Sequence, residues 1–192
     1  MSERGQAGCR SFVSRIKAFS LLVFIEVIKL IRERDLVFDK LDELKIRYSV
    51  IEHPPVFTIE EMDSLGIFDG VNVCKNLFVR NDKGNVHYLI TIRKDKQANL
   101  KEISERISSS RLSFASEERL QKYLRLKKGE VTPLGIINDA VNSVILILDA
   151  DLKGENLLGV HPNDNTATVV MSFDSLIKYI ESFGNKYIVT TI

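Results

Sequence analysis

Two apolar, alternating runs at residues 71–79 and 86–92 flank Asn81-Asp82-Lys83-Gly84-Asn85, a turn whose Asn, Asp and Gly tolerate positive φ. This β-hairpin constrains the chain more than any other segment, because locally joined strands call for antiparallel pairing. Around it the hydrophobic period changes repeatedly. Leu36, Leu41, Leu44 and Ile46 recur near helical spacing, and residues 48–52 alternate like a half-buried strand. Thr58-Ile59-Glu60-Glu61 is a capping box, so a short helix should follow the rigid, extended His53-Pro54-Pro55 lead-in. A helix is expected over 97–107, a brief strand over 112–115, and a second helix opened by Ser116, with Glu117 and Glu118 in its first turn. Residues 142–149, 167–172 and 186–192 read as strands, and 173–183 as a helix stopped by Gly184. The expected fold class is α/β (α+β): a mixed, largely antiparallel, barrel-like sheet with surrounding helices. A doubly wound nucleotide fold is disfavoured, since neither Gly-x-Gly-x-x-Gly nor Gly-x-x-x-x-Gly-Lys-Ser/Thr occurs.

The 192 residues suit one domain, taken as 36–192, behind an N-terminal extension at 1–35 that is amphipathic or dispensable. Its apolar stretch, 19–31, is broken by Ser20, Glu26 and Lys29. It is too short to span a membrane and lacks a small-residue cleavage site. Cys9 and Cys74 are the only cysteines, which excludes a disulfide framework and fits a reducing cytoplasm. No spacing of Cys or His suggests a metal site, and no cofactor is expected.

With 27 basic and 26 acidic residues the net charge is +1, so nothing overall demands nucleic acid. The distribution is uneven. Residues 93–128 carry eleven Lys or Arg against five acids, and 129–192 carry three Lys against eight acids. The basic segment is either a solvated helical surface or a phosphate-contacting patch. Its last cations, Lys122, Arg125, Lys127 and Lys128, run directly into Gly129.

Three polar interruptions mark a candidate pocket: Val73-Cys74-Lys75-Asn76-Leu77-Phe78, Gly129-Glu130-Val131-Thr132-Pro133 and His161-Pro162-Asn163-Asp164-Asn165. A lysine flanked by Val73, Cys74, Leu77 and Phe78 roots its stem among buried side chains, so its ammonium needs a partner or a ligand. The bland alternative is a snorkelling strand lysine paired with an acid. Cys74 is expected to be a buried small hydrophobe, because adjacent strand residues face opposite ways.

These segments, with His53-Pro54-Pro55-Val56-Phe57-Thr58, resemble in order and spacing the YbaK/ProX superfamily of freestanding prolyl-tRNA editing proteins, over about residues 36–192. The HPPVFT form is most similar to the branch that removes alanine. The resemblance implies a metal-free hydrolase for mischarged tRNA-Pro, with Ala-tRNA-Pro as expected substrate and a prolyl-tRNA synthetase as a possible second partner. It makes Lys75 and His161 the catalytic candidates. His53, Phe57, Thr58, Asn76, Gly129, Val131, Thr132, Pro133 and Asn165 become candidates for substrate binding, and Lys122, Arg125, Lys127 and Lys128 for tRNA. His53 reads equally as rim or as turn cap. Asn76 is expected to act through its backbone N–H, and Val56, Phe57, Val131 and Leu134 to wall a size-selective pocket. Glu130 stands where the family suggests a smaller residue. Other readings are a non-catalytic amino-acid or aminoacyl-tRNA binding module, or a deacylase for Cys-tRNA-Pro or Ser-tRNA.

Overall fold

The computed structural model describes residues 33–56 and 58–192. In chain order the elements are α1 (33–43), β1 (Ser49–Glu52), α2 (Ile59–Ser64), β2 (Asn72–Arg80), β3 (His87–Arg93), α3 (Leu100–Arg106), β4 (Ser113–Phe114) and α4 (Glu117–Leu124). A 3-10 helix (Pro133–Asn138) follows, then β5 (Val144–Asp149), a 3-10 turn (Ala150–Leu152), β6 (Leu158–Val160), β7 (Ala167–Met171), α5 (Phe173–Phe183) and β8 (Tyr187–Thr190).

The helix ends are set by the capping chemistry expected of them. The hydroxyls of Thr58, Ser116 and Ser172 accept from the N–H groups of Glu61, Arg119 and Ser175. Gly184 ends α5 at φ 79, in the left-handed region. Phe173, Leu176, Tyr179 and Ile180 lie buried along α5, the stripe that a 3.6-residue period predicts. Helix α3 starts three residues later than the periodicity suggests. Asn99 caps it, accepting from the N–H of Lys101 and Glu102.

The eight strands form one mixed sheet in the order β1-β7-β6-β2-β3-β5-β8, with β4 also paired to β2. The hairpin β2–β3 is antiparallel from Cys74↔Arg93 to Arg80↔His87. Pairings β2–β6, β3–β5 and β5–β8 are parallel, so the sheet is less antiparallel than the hairpin alone suggests. Parallel neighbours need long crossovers, which here carry α3, α4 and α5. The three-residue β6 is too short to show a period and has no counterpart in the sequence reading.

One sheet face buries the main core, in which Val37, Leu41, Leu146, Leu176 and Tyr179 are fully enclosed beneath α1, α4 and α5. The other face packs Val79, Ile90 and Ile92 against Ile103 of α3. A satellite of Val56, Met62 and Val73 lies under α2. Helix α1 crosses the expected boundary at 35/36, and its first described turn is tied to the domain. Arg34 pairs with Glu52, and Glu33 accepts from the Asn138 amide at 3.1 Å. The amphipathic reading of 1–35 otherwise lies outside the described residues. None of the described helices is long and apolar enough to cross a membrane.

Strand β2 positions the site. On one edge it pairs with β3 from Cys74 to Arg80, but on the other β6 covers only Asn72 and Val73, and β4 only Val79 and Arg80. Residues 74–78 therefore border a gap in the sheet.

Candidate active site

A cleft of about 920 Å³ opens along that gap. It is lined by β2 from Cys74 to Phe78, by Val56, Thr58 and Met62 around α2, and by Lys94 to Gln97 after β3. Phe114 to Glu117, Lys128, Gly129, Val131 and His161 line it too, with Glu60 and Leu120. All three polar interruptions thus meet in one cavity.

Lys75 is half-buried, and its ammonium donates to the main-chain oxygen of Lys96. Among the described residues no carboxylate forms an ion pair with it, so the paired-surface reading is set aside. An ammonium has three donors, and two remain for a ligand. Next along the strand, Asn76 accepts from the Thr91 hydroxyl at 2.9 Å through Oδ1. The Phe78 carbonyl accepts from the Ala115 N–H at 3.0 Å across the gap edge. Strand residues two apart direct their main-chain groups the same way, so the Asn76 N–H and C=O face the cleft.

His161 is held by its Nδ1, 3.1 Å from the Ala167 carbonyl. A carbonyl only accepts, so Nδ1 carries the proton and Nε2 keeps a lone pair. Burial pushes the His161 pKa below its ordinary 6.5; the bond to Ala167 pulls the other way, and His53 adds to the lowering. The imidazole is thus neutral at pH 7, able to accept a hydrogen bond from water or an ammonium.

Other residues hold these groups in place. His53 does not line the cleft. It is 7% exposed; its Nδ1 donates to the Pro54 carbonyl at 2.9 Å, and its Nε2 accepts from the Thr168 hydroxyl at 3.0 Å. Its ring centre is 6.2 Å from that of His161, as a buttress. Asn165 also stands back: its carbonyl accepts from the Val56 N–H at 3.2 Å and its amide donates to the Val56 carbonyl at 3.4 Å, which fixes that wall residue. Thr58 lies on the rim as the α2 cap, and Phe57 lies outside the described residues.

In the loop after α4, Gly129 has φ 88, a conformation that favours glycine. Glu130 has a local role: its carboxylate accepts from the Lys127 N–H at 3.0 Å and closes the turn. Thr132, Pro133 and Leu134 are buried behind the wall rather than in it. Thr132 caps the 3-10 helix and donates to the His161 carbonyl at 2.7 Å. Of the four tRNA candidates Lys128 lines the cleft, whereas Lys122, Arg125 and Lys127 are exposed beside it. Cys74 is buried, and burial, then Asp149 and Glu155, push its thiol up to about 12, so it supplies no thiolate.

The sequence reading missed Met62, Lys94, Lys96, Phe114 and Ser116. Phe114 is the most distinctive, a 65% exposed ring at the cleft mouth. A phenylalanine within a basic segment was the available signal.

Residues 53–179 match the model of the aminoacyl-tRNA editing domain. The chain is 50% identical over 151 residues to the prolyl-tRNA editing protein ProX of Acetoanaerobium sticklandii, covering 79% of this chain and 92% of that protein. It is 38% identical over 144 residues to the zebrafish (Danio rerio) prolyl-tRNA synthetase associated domain-containing protein 1, covering 73% and 77%. A crystal structure described as a candidate trans-editing enzyme for prolyl tRNA synthetase superposes with TM-score 0.61 at 18% identity, over 82% of this chain and 95% of the other, and so shares its fold. The gapped sheet, its cleft and these matches together place the chain in the aminoacyl-tRNA editing domain family, as an aminoacyl-tRNA deacylase.

Proposed function

We propose that the chain is a trans-editing hydrolase of mischarged tRNA-Pro, with alanine as the amino acid removed, by direct attack of water on the aminoacyl ester. One observation carries the reading: Lys75, whose ammonium has no carboxylate partner among the described residues, stands on the stretch of β2 that no described strand covers on its second edge. An ester is already activated, so orientation of water and stabilisation of the developing oxyanion suffice. The two free donors of Lys75 and the Asn76 N–H supply positive ends for the carbonyl oxygen or the ribose. The Nε2 of His161 accepts from water or from the substrate's α-ammonium. The nucleophile is water, since the Cys74 thiol is protonated and buried.

The cleft is far larger than one small side chain, which leaves room for the terminal nucleoside beside the aminoacyl group. Val56 and Val131 are the apolar walls that would admit alanine and exclude proline. Lys128, with Lys122, Arg125 and Lys127 nearby, would meet backbone phosphate. Such a substrate places the protein in the cytoplasm, where a prolyl-tRNA synthetase would supply the mischarged tRNA.

The test is deacylation of tRNA-Pro charged with alanine, cysteine or proline, wild type beside Lys75→Ala, with a chelator present. Alanine release that needs Lys75 and survives chelation is expected. A folded wild-type protein that releases nothing would instead be a binding module.

A further inference from the structure

The carbonyl that holds Lys75 belongs to a residue that is itself anchored with unusual care. Lys96 sits in the turn after β3, its N–H donating to the Arg93 carbonyl at 3.2 Å. Its ammonium lies 2.7 Å from Asp149 Oδ2, 2.6 Å from Asp151 Oδ2 and 3.0 Å from the main-chain oxygen of Ile192. The Asp149 side chain is 0% exposed at the end of β5, and its Oδ1 also accepts from the N–H groups of Asp151 and Ile192 at 3.3 Å. One buried carboxylate therefore locks together the turn after β3, the end of β5 and the residues after β8. Burial alone would lower the Lys96 pKa, but the two carboxylates outweigh it and raise it, so the ammonium stays charged.

A buried ion pair is weak evidence for stability, because an apolar pair of similar size often serves as well. What this pair supplies is placement of the Lys96 peptide. The Lys75 ammonium ends a flexible four-carbon stem, and its bond to the Lys96 carbonyl is its one hydrogen bond within the protein among the described residues. We propose that Lys96 and Asp149 are positioning residues for Lys75: their buried ion pair fixes the carbonyl that aims the Lys75 ammonium at the scissile ester. This rests on the catalytic reading of Lys75.

Removing Lys96 alone leaves the fully buried Asp149 carboxylate without a cation and risks the fold, and removing Asp149 alone leaves Lys96 on Asp151, so the decisive variant is the neutral double Lys96→Met/Asp149→Asn in the full chain. The substrate is tRNA-Pro charged with alanine. With melting showing a folded protein, kcat should fall about 10- to 100-fold, the scale of a small misplacement of a catalytic group, while KM stays within about two-fold. Lys96→Arg should keep most of the wild-type kcat. Adding the double substitution to Lys75→Ala should cause no further loss, because the clamp acts only through Lys75. Wild-type kcat in the double variant, a change confined to KM, or a loss that multiplies with that of Lys75→Ala would overturn the clamp and leave the role of Lys75 standing. If Lys75→Ala itself deacylates at the wild-type rate, both fall together.

Discussion

The Thr132 hydroxyl donates to the main-chain oxygen of His161 at 2.7 Å, joining the loop after α4 to the loop after β6 across 29 residues of sequence. Neither the Gly129 wall nor the His161 ring can shift without straining this bond. Replacing Thr132 by Val keeps the shape but takes this partner from the part-buried His161 carbonyl and from the buried Leu134 N–H, at a cost of about 1–3 kcal/mol. Thr132→Val should therefore melt several degrees lower and deacylate more slowly, whereas Thr132→Ser should retain both properties. Equal melting of the Val variant and wild type would show that the bond does not couple the loops.

Acid should destabilise the protein through its buried histidines. His87 is 1% exposed, its Nε2 2.9 Å from Arg119, and its ring lies between Phe78 and Tyr123. Burial, then Arg119, Lys122 and Arg80, lower its pKa from 6.5 to about 4. The native state thus keeps His87 neutral where the unfolded chain takes up a proton. This contribution to stability is complete above about 6.5 and is lost as pH falls toward 4. His161, also lowered, acts in the same direction. Melting temperature should drop between pH 7 and 4, and His87→Gln should flatten that drop. Parallel curves for variant and wild type would remove His87 as the cause.

Selectivity should follow the volume bounded by Val56 and Val131. A methylene is worth roughly 1–3 kcal/mol in such a pocket, so Val56→Ala or Val131→Ala should raise proline release from Pro-tRNA-Pro about 10-fold or more relative to alanine release. The readout is the ratio of kcat/KM values for the two substrates. An unchanged ratio in both variants would point to a determinant other than size.

Local chemistry made much of the fold legible. Helix α5 carries its own start at Ser172, its own stop at Gly184 and a buried stripe between them, and the β2–β3 hairpin carries its turn. Lys75 stood out because a lysine is costly among apolar strand residues. What stayed hidden depends on distant partners. The gap beside β2 exists only because β6 and β4 stop short; β6 is too brief to show a period, and the brief strand expected at 112–115 does not reveal which edge it joins. The clamp joins Lys96 to Asp149, 53 residues away. His53 reads from its sequence as rim or turn cap alike, and the choice depends on Thr168 occupying its Nε2, a pairing set by β1 and β7 lying side by side.

If the exposed cations of the rim meet the acceptor stem, they should set the salt dependence of binding. Reversing Lys122, Arg125 and Lys128 together should weaken tRNA affinity and make log K fall less steeply with log salt, by about 0.9 for each duplex phosphate that is no longer neutralised. Binding measured across a salt series decides the matter, since a solvated surface patch would leave the slope unchanged.

Phe114 should act on binding rather than chemistry. Its ring is 65% exposed at the mouth of a cleft that has Lys128 on its wall, a location where a nucleobase would stack once the aminoacyl end is seated. Stacking of a base on an aromatic ring is worth about 1–3 kcal/mol, so Phe114→Ala should raise KM for the charged tRNA roughly 5- to 150-fold with little change in kcat. Phe114→Trp should hold KM near wild type, while Phe114→Leu, apolar but not aromatic, should resemble Ala. Stability offers no competing explanation, because an exposed side chain on a two-residue strand contributes little to the core. A kcat effect without a KM effect would place Phe114 in the chemistry of the site, and no effect at all would leave the ring outside the path of the substrate.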